Sequence, residues 1–330
     1  MADQEDVPRL ANEVQCRPRM DCNNHLQMVQ GCVDRLGVDV EAAWLYGVAG
    51  HAFMINIPRG VCCSGPSAWD WHLICERTPT IGVDTSEYVL SWRNDCDFQR
   101  RKDEAIEFTK AKHAAGVPLY GAEFGYPEWY MVSGTSEQGF TYVYTNGLKR
   151  TYCTTFRTWE DFGTIDVGIL FVGAVRVSEG TDDGRAVADA LDFALAVGHA
   201  DEEQMGLRAY DAWITGLGDT GALAEGPWNH PDGTTYNAGF WYDCRARAEQ
   251  FLRLCPKRLS SKLEPEFTRA AEEYARVAAA LAEVHALFPY GMSPDLPSPE
   301  LVARTSEHLR AAREAETRGL DILAGIRKAL

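Results

Sequence analysis

Apolar residues near the start of the chain recur every three or four positions, as they do on one face of an α-helix. The series is Cys22, Leu26, Val29, Val33 and Leu36. Asp21 precedes the series as a candidate N-cap, and Gly37 follows it as a stop signal. The pattern therefore predicts a first helix that carries Cys22 in its first turn.

Between Tyr88 and Val175 the apolar residues gather in short runs separated by glycine-containing turns, which is typical of β-strands. The predicted strands are YVLSW, VPLYGAEF, EWYMVSG, FTYVYTN and VGILFVGAV, and a helix is predicted over residues 95–115. These strands are separate from the first helix, which favours an α+β fold with a mainly antiparallel sheet.

A polar segment, SEGTDDG at 178–184, contains no apolar residue and indicates a domain boundary. After it, helical periodicity dominates and β-branched runs disappear. The predicted helices are 185–197, 204–217, 238–254, 264–287 and 298–329. We therefore predict an α+β domain over residues 1–177 and an all-helical domain over 178–330.

Composition and charge narrow the classes of function. The chain has 330 residues, of which 45% are hydrophobic and 24% charged, so it has the composition of a globular protein and not of a disordered or fibrous one. A formal net charge of −16 disfavours nucleic acid and anionic membranes as partners. The acidic N-terminal segment does not resemble a signal peptide, and the apolar run at 167–175 is too short to span a membrane. We expect a cytoplasmic protein whose ten cysteines are reduced thiols.

Cys22 is the first candidate for chemistry. Free backbone N–H groups and the helix dipole at a helix N-terminus favour a thiolate, the nucleophilic form of cysteine. The alternative is that Cys22 is a small buried residue at a helix start.

Several segments resemble a known family. DCNNHLQMVQGCVDRLG is similar to the cysteine-initiated helix of papain-like cysteine peptidases, in their bacteriocin-processing branch. VEAAWLYGVAGHAF, PEWYMVSGTSEQGFTYVY and RAYDAWITGL resemble segments of bacterial proteins related to the butirosin-biosynthesis acyltransferase. The resemblance spans most of the chain and implies a papain-like domain followed by a helical domain. It also implies thiol-dependent acyl transfer, or amide-bond formation or cleavage, in secondary, small-molecule metabolism, with Cys22 as nucleophile.

The resemblance also implies roles for other residues. Gln15, seven residues before Cys22, would help to form the oxyanion hole, and Asn146 would orient the base. The position expected for the basic histidine holds Trp129 or Tyr130, and neither is an effective base near neutral pH.

Other residues could replace the missing histidine. Glu128 and Glu123 flank the same segment and could act as acid or base if they are desolvated. The simpler interpretation of each is an exposed or paired carboxylate. His25 cannot easily replace the histidine, because it lies one turn after Cys22 on the same predicted helix; it is a candidate substrate contact or a surface histidine of the helix.

Aromatic residues are candidates for substrate binding. Trp69, Trp71, Trp129 and Tyr130 could line a pocket for an apolar, aromatic or cationic ligand, or could form a bulky core.

Two acidic residues of the predicted helical domain lie between aromatic residues. Asp211 and Asp243 are unfavourable inside helices without a partner, so they could bind an ammonium group near Cys22 or form structural ties to Arg208 or Arg245.

Metal and cofactor motifs are missing from the sequence. Cys62 and Cys63 are adjacent, whereas zinc ligands are normally two to four residues apart, and no HExxH, CxxC, P-loop or GxGxxG motif occurs. We therefore expect no metal and no cofactor. The expected partners are a small-molecule substrate and, as acyl donor, an acyl-carrier protein, and a homo-oligomer remains open. The rival hypothesis is a catalytically degenerate relative that binds a small molecule or a partner.

Overall fold

A computed structural model describes most of the chain. The described residues are 10–15, 25–122, 129–146, 151–165, 168–219, 232–259, 262–289 and 297–330. The chain divides into two compact units, each made of two chain segments. The first unit is Met1–Val40 with Thr78–Gly180, and the second is Glu41–Arg77 with Thr181–Leu330.

In the described residues, short helices come first, strands with one long helix among them follow, and helices end the chain. The helices of the described residues are α1 (His25–Leu36), α2 (Ala42–Val48), α3 (His72–Cys75), α4 (Phe98–Ala114), α5 (Asp183–Gly198), α6 (Gly206–Leu217), α7 (Asp232–Leu259), α8 (Glu264–Leu287) and α9 (Pro299–Ala329). The strands are β1 (Val83–Asp84), β2 (Tyr88–Trp92), β3 (Leu119–Ala122), β4 (Trp129–Thr135), β5 (Gly139–Asn146), β6 (Thr151–Thr158), β7 (Ile169–Ala174) and β8 (Arg176–Val177).

The first unit is built on a six-stranded antiparallel sheet in the order β2-β7-β3-β4-β5-β6. Tyr120 of β3 pairs with Met131 of β4 on one side and with Gly173 of β7 on the other. The short strands β1 and β8 form a separate antiparallel pair.

The two faces of this sheet are covered by different helices. Successive side chains of a strand point to opposite faces, so each strand serves both. On one face, Ala105 of α4 packs in an apolar core with Tyr130, Val132 and Leu170. On the other face, α1 packs against β3 and β4. The inner strands β3 and β7 are buried on both faces, and all of their residues are buried.

The second unit is helical. Its helices begin at side-chain caps where the chain supplies them: Asp182 accepts a hydrogen bond from the Arg185 amide, and Ser298 accepts one from the Leu301 amide. The long helix α8 packs against both α7 and α9, and α9 also contacts α5 and α6.

A buried ion pair lies inside the second unit. Arg245 of α7 and Glu316 of α9 are 0% and 1% exposed, and they are joined by bonds of 2.6 and 3.1 Å. The Tyr210 hydroxyl donates to the same carboxylate at 2.5 Å, and the Arg245 guanidinium donates to the carbonyl oxygens of Ala52 and Met54.

The structure confirms a mixed chain with an antiparallel sheet and a helix-rich C-terminal region. It differs from the predicted domains, which assigned all of residues 1–177 to the α+β part, because Glu41–Arg77 belongs to the helical unit. The reason is packing: α2 lies so close to α7 that a Cβ on Gly47 would be 2.0 Å from the Phe251 ring. The strand β6, TYCTTFRT, is not among the predicted strands because threonines replace the apolar residues of a typical strand pattern.

The buried pair predicts a large effect of Glu316→Gln. The substitution leaves the Arg245 charge buried without its counter-charge, so we expect a loss of about 3–5 kcal/mol of unfolding free energy, measured by denaturant titration. Glu307→Gln on the exposed side of α9 is the control and is expected to stay within about 0.5 kcal/mol of the parent. Equal midpoints for the two variants would contradict this assignment.

Candidate functional site

An aromatic cluster surrounds His25 on the α1 side of the sheet. His25 is 1% exposed, and its imidazole Nε2 lies 3.0 Å from the Tyr120 hydroxyl oxygen. The imidazole stacks on Trp129 with a centroid distance of 4.7 Å and an interplanar angle of 27°. Phe171 meets the imidazole edge-on at 6.3 Å. The imidazole is therefore fixed on both its nitrogen edge and its ring face.

The sheet positions these partners by register. Tyr120 lies opposite Gly173, which has no side chain, so the Tyr120 ring occupies the space above that strand. A Cβ on Gly173 would lie 2.8 Å from the ring, closer than real contacts allow. Trp129 pairs with Ala122, a small residue that leaves room for the indole on the same face. The two aromatic groups consequently converge on the helix residue His25.

The hydrogen bond between the His25 imidazole and the Tyr120 hydroxyl holds a proton at a defined position between the two side chains. An imidazole can donate and accept protons, and the Tyr120 hydroxyl can do either toward Nε2. In enzymes with a nucleophilic side chain, the base that accepts the nucleophile's proton is usually held in orientation by a hydrogen bond from another residue.

The remaining predicted catalytic residues are only partly described. Cys22, Glu123 and Glu128 lie outside the described residues. Gln15 is exposed, and the amide of the preceding residue, Val14, donates to the Ser133 carbonyl of β4 at 2.7 Å. Asn146 ends β5, where it pairs with Thr151.

Trp129 and Tyr130 lie on opposite faces of the sheet. Trp129 contacts His25, whereas Tyr130 is fully buried in the α4-side core beside Phe140 and Tyr142, with centroid distances of 6.0 and 5.2 Å. Strand alternation therefore prevents both residues from lining one pocket. The residues that join Trp129 around His25 are Tyr120 and Phe171, which the sequence analysis did not single out. The sequence does indicate the face of each residue: Tyr120 follows Leu119 and Phe171 follows Leu170, so each aromatic residue faces the side of the sheet opposite to the leucine before it.

The other two candidate tryptophans, Trp69 and Trp71, belong to the second unit. The Trp69 indole donates to the Pro66 carbonyl at 2.7 Å and meets His51 edge-on at 5.6 Å. Trp71 is buried and donates to the Ser67 carbonyl at 2.8 Å. Both indoles therefore support the local chain after Cys62 and Cys63.

The two acidic candidates form ion pairs, with partners other than those expected. Asp211 is exposed and lies 3.3 Å from Arg313, and Asp243 lies 3.5 Å from Arg247 one turn further along α7. The expected partners are engaged elsewhere, because Arg245 binds Glu316 and Arg208 binds Glu203. Both acids therefore have arginine partners in the structure, and these partners are not Arg208 and Arg245.

Neither a group of metal ligands nor a membrane-spanning helix occurs in the residues that the structure describes. Within these residues, no group of three or more His, Cys, Asp and Glu side chains is arranged to hold a metal ion. Within the same residues, no helix combines the length and apolar character needed to cross a membrane.

No protein-family model matches the chain, and no curated protein matches it.

The close approach of Tyr120 predicts the effect of Gly173→Ala. The added methyl group collides with the Tyr120 ring, so we expect a loss of about 1–3 kcal/mol of unfolding free energy, measured by denaturant titration. Gly325→Ala is the matched control: nothing lies near its Cβ position on α9, and alanine favours a helix by about 0.5–1 kcal/mol. Opposite signs are expected for the two variants, and a neutral Gly173→Ala would contradict the packing described.

Proposed function

We propose that the chain catalyses cysteine-dependent acyl transfer in small-molecule metabolism, with Cys22 as the nucleophile on a papain-like domain. The observation that supports this proposal most directly is the packing of the His25 imidazole. Its imidazole stacks on Trp129, and the resemblance implies that the basic histidine of the family corresponds to Trp129 or Tyr130. His25 is also only three residues from Cys22 in the sequence. In this proposal the imidazole comes from the helix, and not from the strand.

The proposed reaction has two steps. The Cys22 thiolate attacks the carbonyl carbon of an acyl thioester, the donor's carbon–sulfur bond breaks, and the donor leaves as a thiolate. An amine then attacks the acyl-cysteine, an amide bond forms, and the Cys22 sulfur leaves. A proton is lost from the attacking amine, and His25 accepts it in this scheme.

The proposed roles of the surrounding residues follow from this scheme. The Tyr120 hydroxyl orients the imidazole at 3.0 Å from Nε2. Gln15 is proposed to stabilise the oxyanion, with Asn146 and Glu128 as polar support. A thioester donor suits such a site, because its thiolate leaves without the protonation that an amine leaving group requires. An acyl-carrier protein is therefore a reasonable source of the acyl group.

One observation favours the alternative function, a degenerate enzyme that binds a small molecule or a partner. His25 is 1% exposed and packed by three aromatic rings, as a structural residue would be. A base that stays buried throughout a reaction cannot meet the incoming amine. The two hypotheses are separated by whether the chain turns over an acyl thioester.

The nucleophile is tested with Cys22→Ala. The parent protein is incubated with acyl thioesters and amines, and mass spectrometry follows the amide product and the acylated peptide. We expect Cys22→Ala to lose both, while Cys96→Ala, which changes an exposed cysteine, keeps both. Equal product from the parent and Cys22→Ala would refute the proposal. Absence of any turnover in the parent would favour the binding alternative.

The base is tested with His25→Phe. Phenylalanine keeps the aromatic packing but accepts no proton, so we expect amide formation to slow by about 100-fold or more. Tyr120→Phe removes only the orienting hydroxyl and is expected to have a smaller effect, with a displaced pH–rate profile. Rates equal to the parent in both variants would show that the cluster is structural.

A further inference from the structure

Two adjacent cysteines of the second unit, Cys62 and Cys63, form a thiol pair that the function proposed above does not use. Both side chains are half-buried and so remain partly open to solvent. The Ser64 hydroxyl donates to the Cys62 sulfur at 3.3 Å. The Cys63 side chain and the Ser64 backbone are further hydrogen-bonding groups that lower the pKa of Cys62. Several donors around one sulfur stabilise a thiolate.

The start of α7 holds the turn that carries this pair. Asn237 donates through Nδ2 to the Cys62 carbonyl oxygen at 2.9 Å. Gly233 lies so close that a Cβ there would be 1.8 Å from the Val61 carbonyl oxygen. Val61 has a φ of 55°, a conformation that β-branched residues rarely adopt and that persists only where surrounding contacts impose it. The sulfur and its donors therefore keep a fixed arrangement.

The hydrogen bonds change the chemistry of Cys62. The bond from Cys63 is the largest single cause, and together with the bonds from Ser64 it outweighs partial burial and lowers the pKa of Cys62 to about 5. Cys62 is then a thiolate at neutral pH, where an ordinary thiol is mostly protonated. A partly exposed thiolate beside a second thiol is the arrangement typical of cysteines that react with peroxides.

We propose that Cys62 and Cys63 are a peroxide-reactive pair, in which Cys62 attacks and Cys63 resolves. The Cys62 thiolate attacks one oxygen of a hydroperoxide such as hydrogen peroxide, the O–O bond breaks, hydroxide leaves, and Cys62 becomes a sulfenic acid. The Cys63 thiol then attacks the sulfenic sulfur, the S–O bond breaks, and water leaves with the Cys63 proton. A Cys62–Cys63 disulfide results, with two electrons lost by the thiols and two gained by the peroxide.

The second step is intramolecular, because Cys63 is the next residue in the chain and its thiol is tethered beside the sulfur that it must attack. The pair lies in the second unit and needs no contribution from Cys22. Its failure and the failure of the acyl-transfer proposal are therefore distinguishable, since Cys22→Ala should oxidise at the pair like the parent.

The experiment uses the folded parent protein with Cys96 as an internal standard, since Cys96 is exposed and lies outside the pair. A small excess of hydrogen peroxide is added at about pH 6, where ordinary thiols are protonated. The reaction is quenched with N-ethylmaleimide, and peptides are mapped by mass spectrometry. We expect the peptide with Cys62 and Cys63 to lose the mass of two hydrogen atoms and to recover it after dithiothreitol. It should react about tenfold faster than Cys96, because the larger thiolate fraction outweighs the lower nucleophilicity of a low-pKa sulfur.

Two variants separate the roles within the pair. Cys63→Ser should leave a sulfenic acid on Cys62 that dimedone traps, and Cys62→Ser should reduce peroxide reactivity at Cys63 to that of Cys96. Ser64→Ala keeps both thiols but removes one donor, so the midpoint of the rate–pH profile should move upward. Oxidation of Cys96 as fast as Cys62 in the parent would overturn the proposal. So would a parent whose Cys62 sulfenic acid persists without forming the disulfide.

Discussion

The helical unit depends on one buried charge pair. Arg245 and Glu316 are removed from water, so each requires the other, and a misplaced helix would leave a bare charge in an apolar core. The Arg245 Nη1 donates to the carbonyl oxygens of Ala52 and Met54, which draws the Glu41–Arg77 segment onto α7. The same environment affects His51: burial, followed by the nearby Arg245 charge, lowers its pKa to about 3 and keeps it neutral.

Local periodicity predicts those elements that carry their own apolar face. The helix predicted at 264–287 has the bounds of α8, and the predicted strand YVLSW is β2. Local periodicity does not show to which of the two units a segment belongs, because that depends on contacts between residues far apart in the chain. Arg245 and the Ala52 carbonyl are separated by 193 positions, and no local pattern around residue 52 indicates that contact. The Glu41–Arg77 segment therefore could not be assigned from the sequence alone.

The candidate sites likewise have features that the sequence indicates and features that only the structure shows. The alternation of a strand implies that Trp129 and Tyr130 face opposite sides, but only the register shows that Tyr120 meets the imidazole of His25. Adjacent cysteines lack the spacing of a metal site, so a search for ligand motifs passes over Cys62 and Cys63. The property that distinguishes Cys62 is the set of hydrogen bonds within a strained turn, and turn geometry of this kind is not encoded in residue spacing.

The turn that contains Cys62 and Cys63 is connected by hydrogen bonds to the buried Arg245–Glu316 ion pair. Arg245 fixes the backbone at Met54, and two residues later the Asn56 side chain donates to the carbonyl oxygens of Gly65 and Ala68 at 3.0 and 3.1 Å. Asn56 thus closes the loop that contains the cysteines. A donor stabilises a thiolate only while it stays in place, because a mobile hydroxyl or amide is exchanged for water. The reactivity inferred for Cys62 therefore rests on the rigidity that the buried charges impose on the segment beneath it.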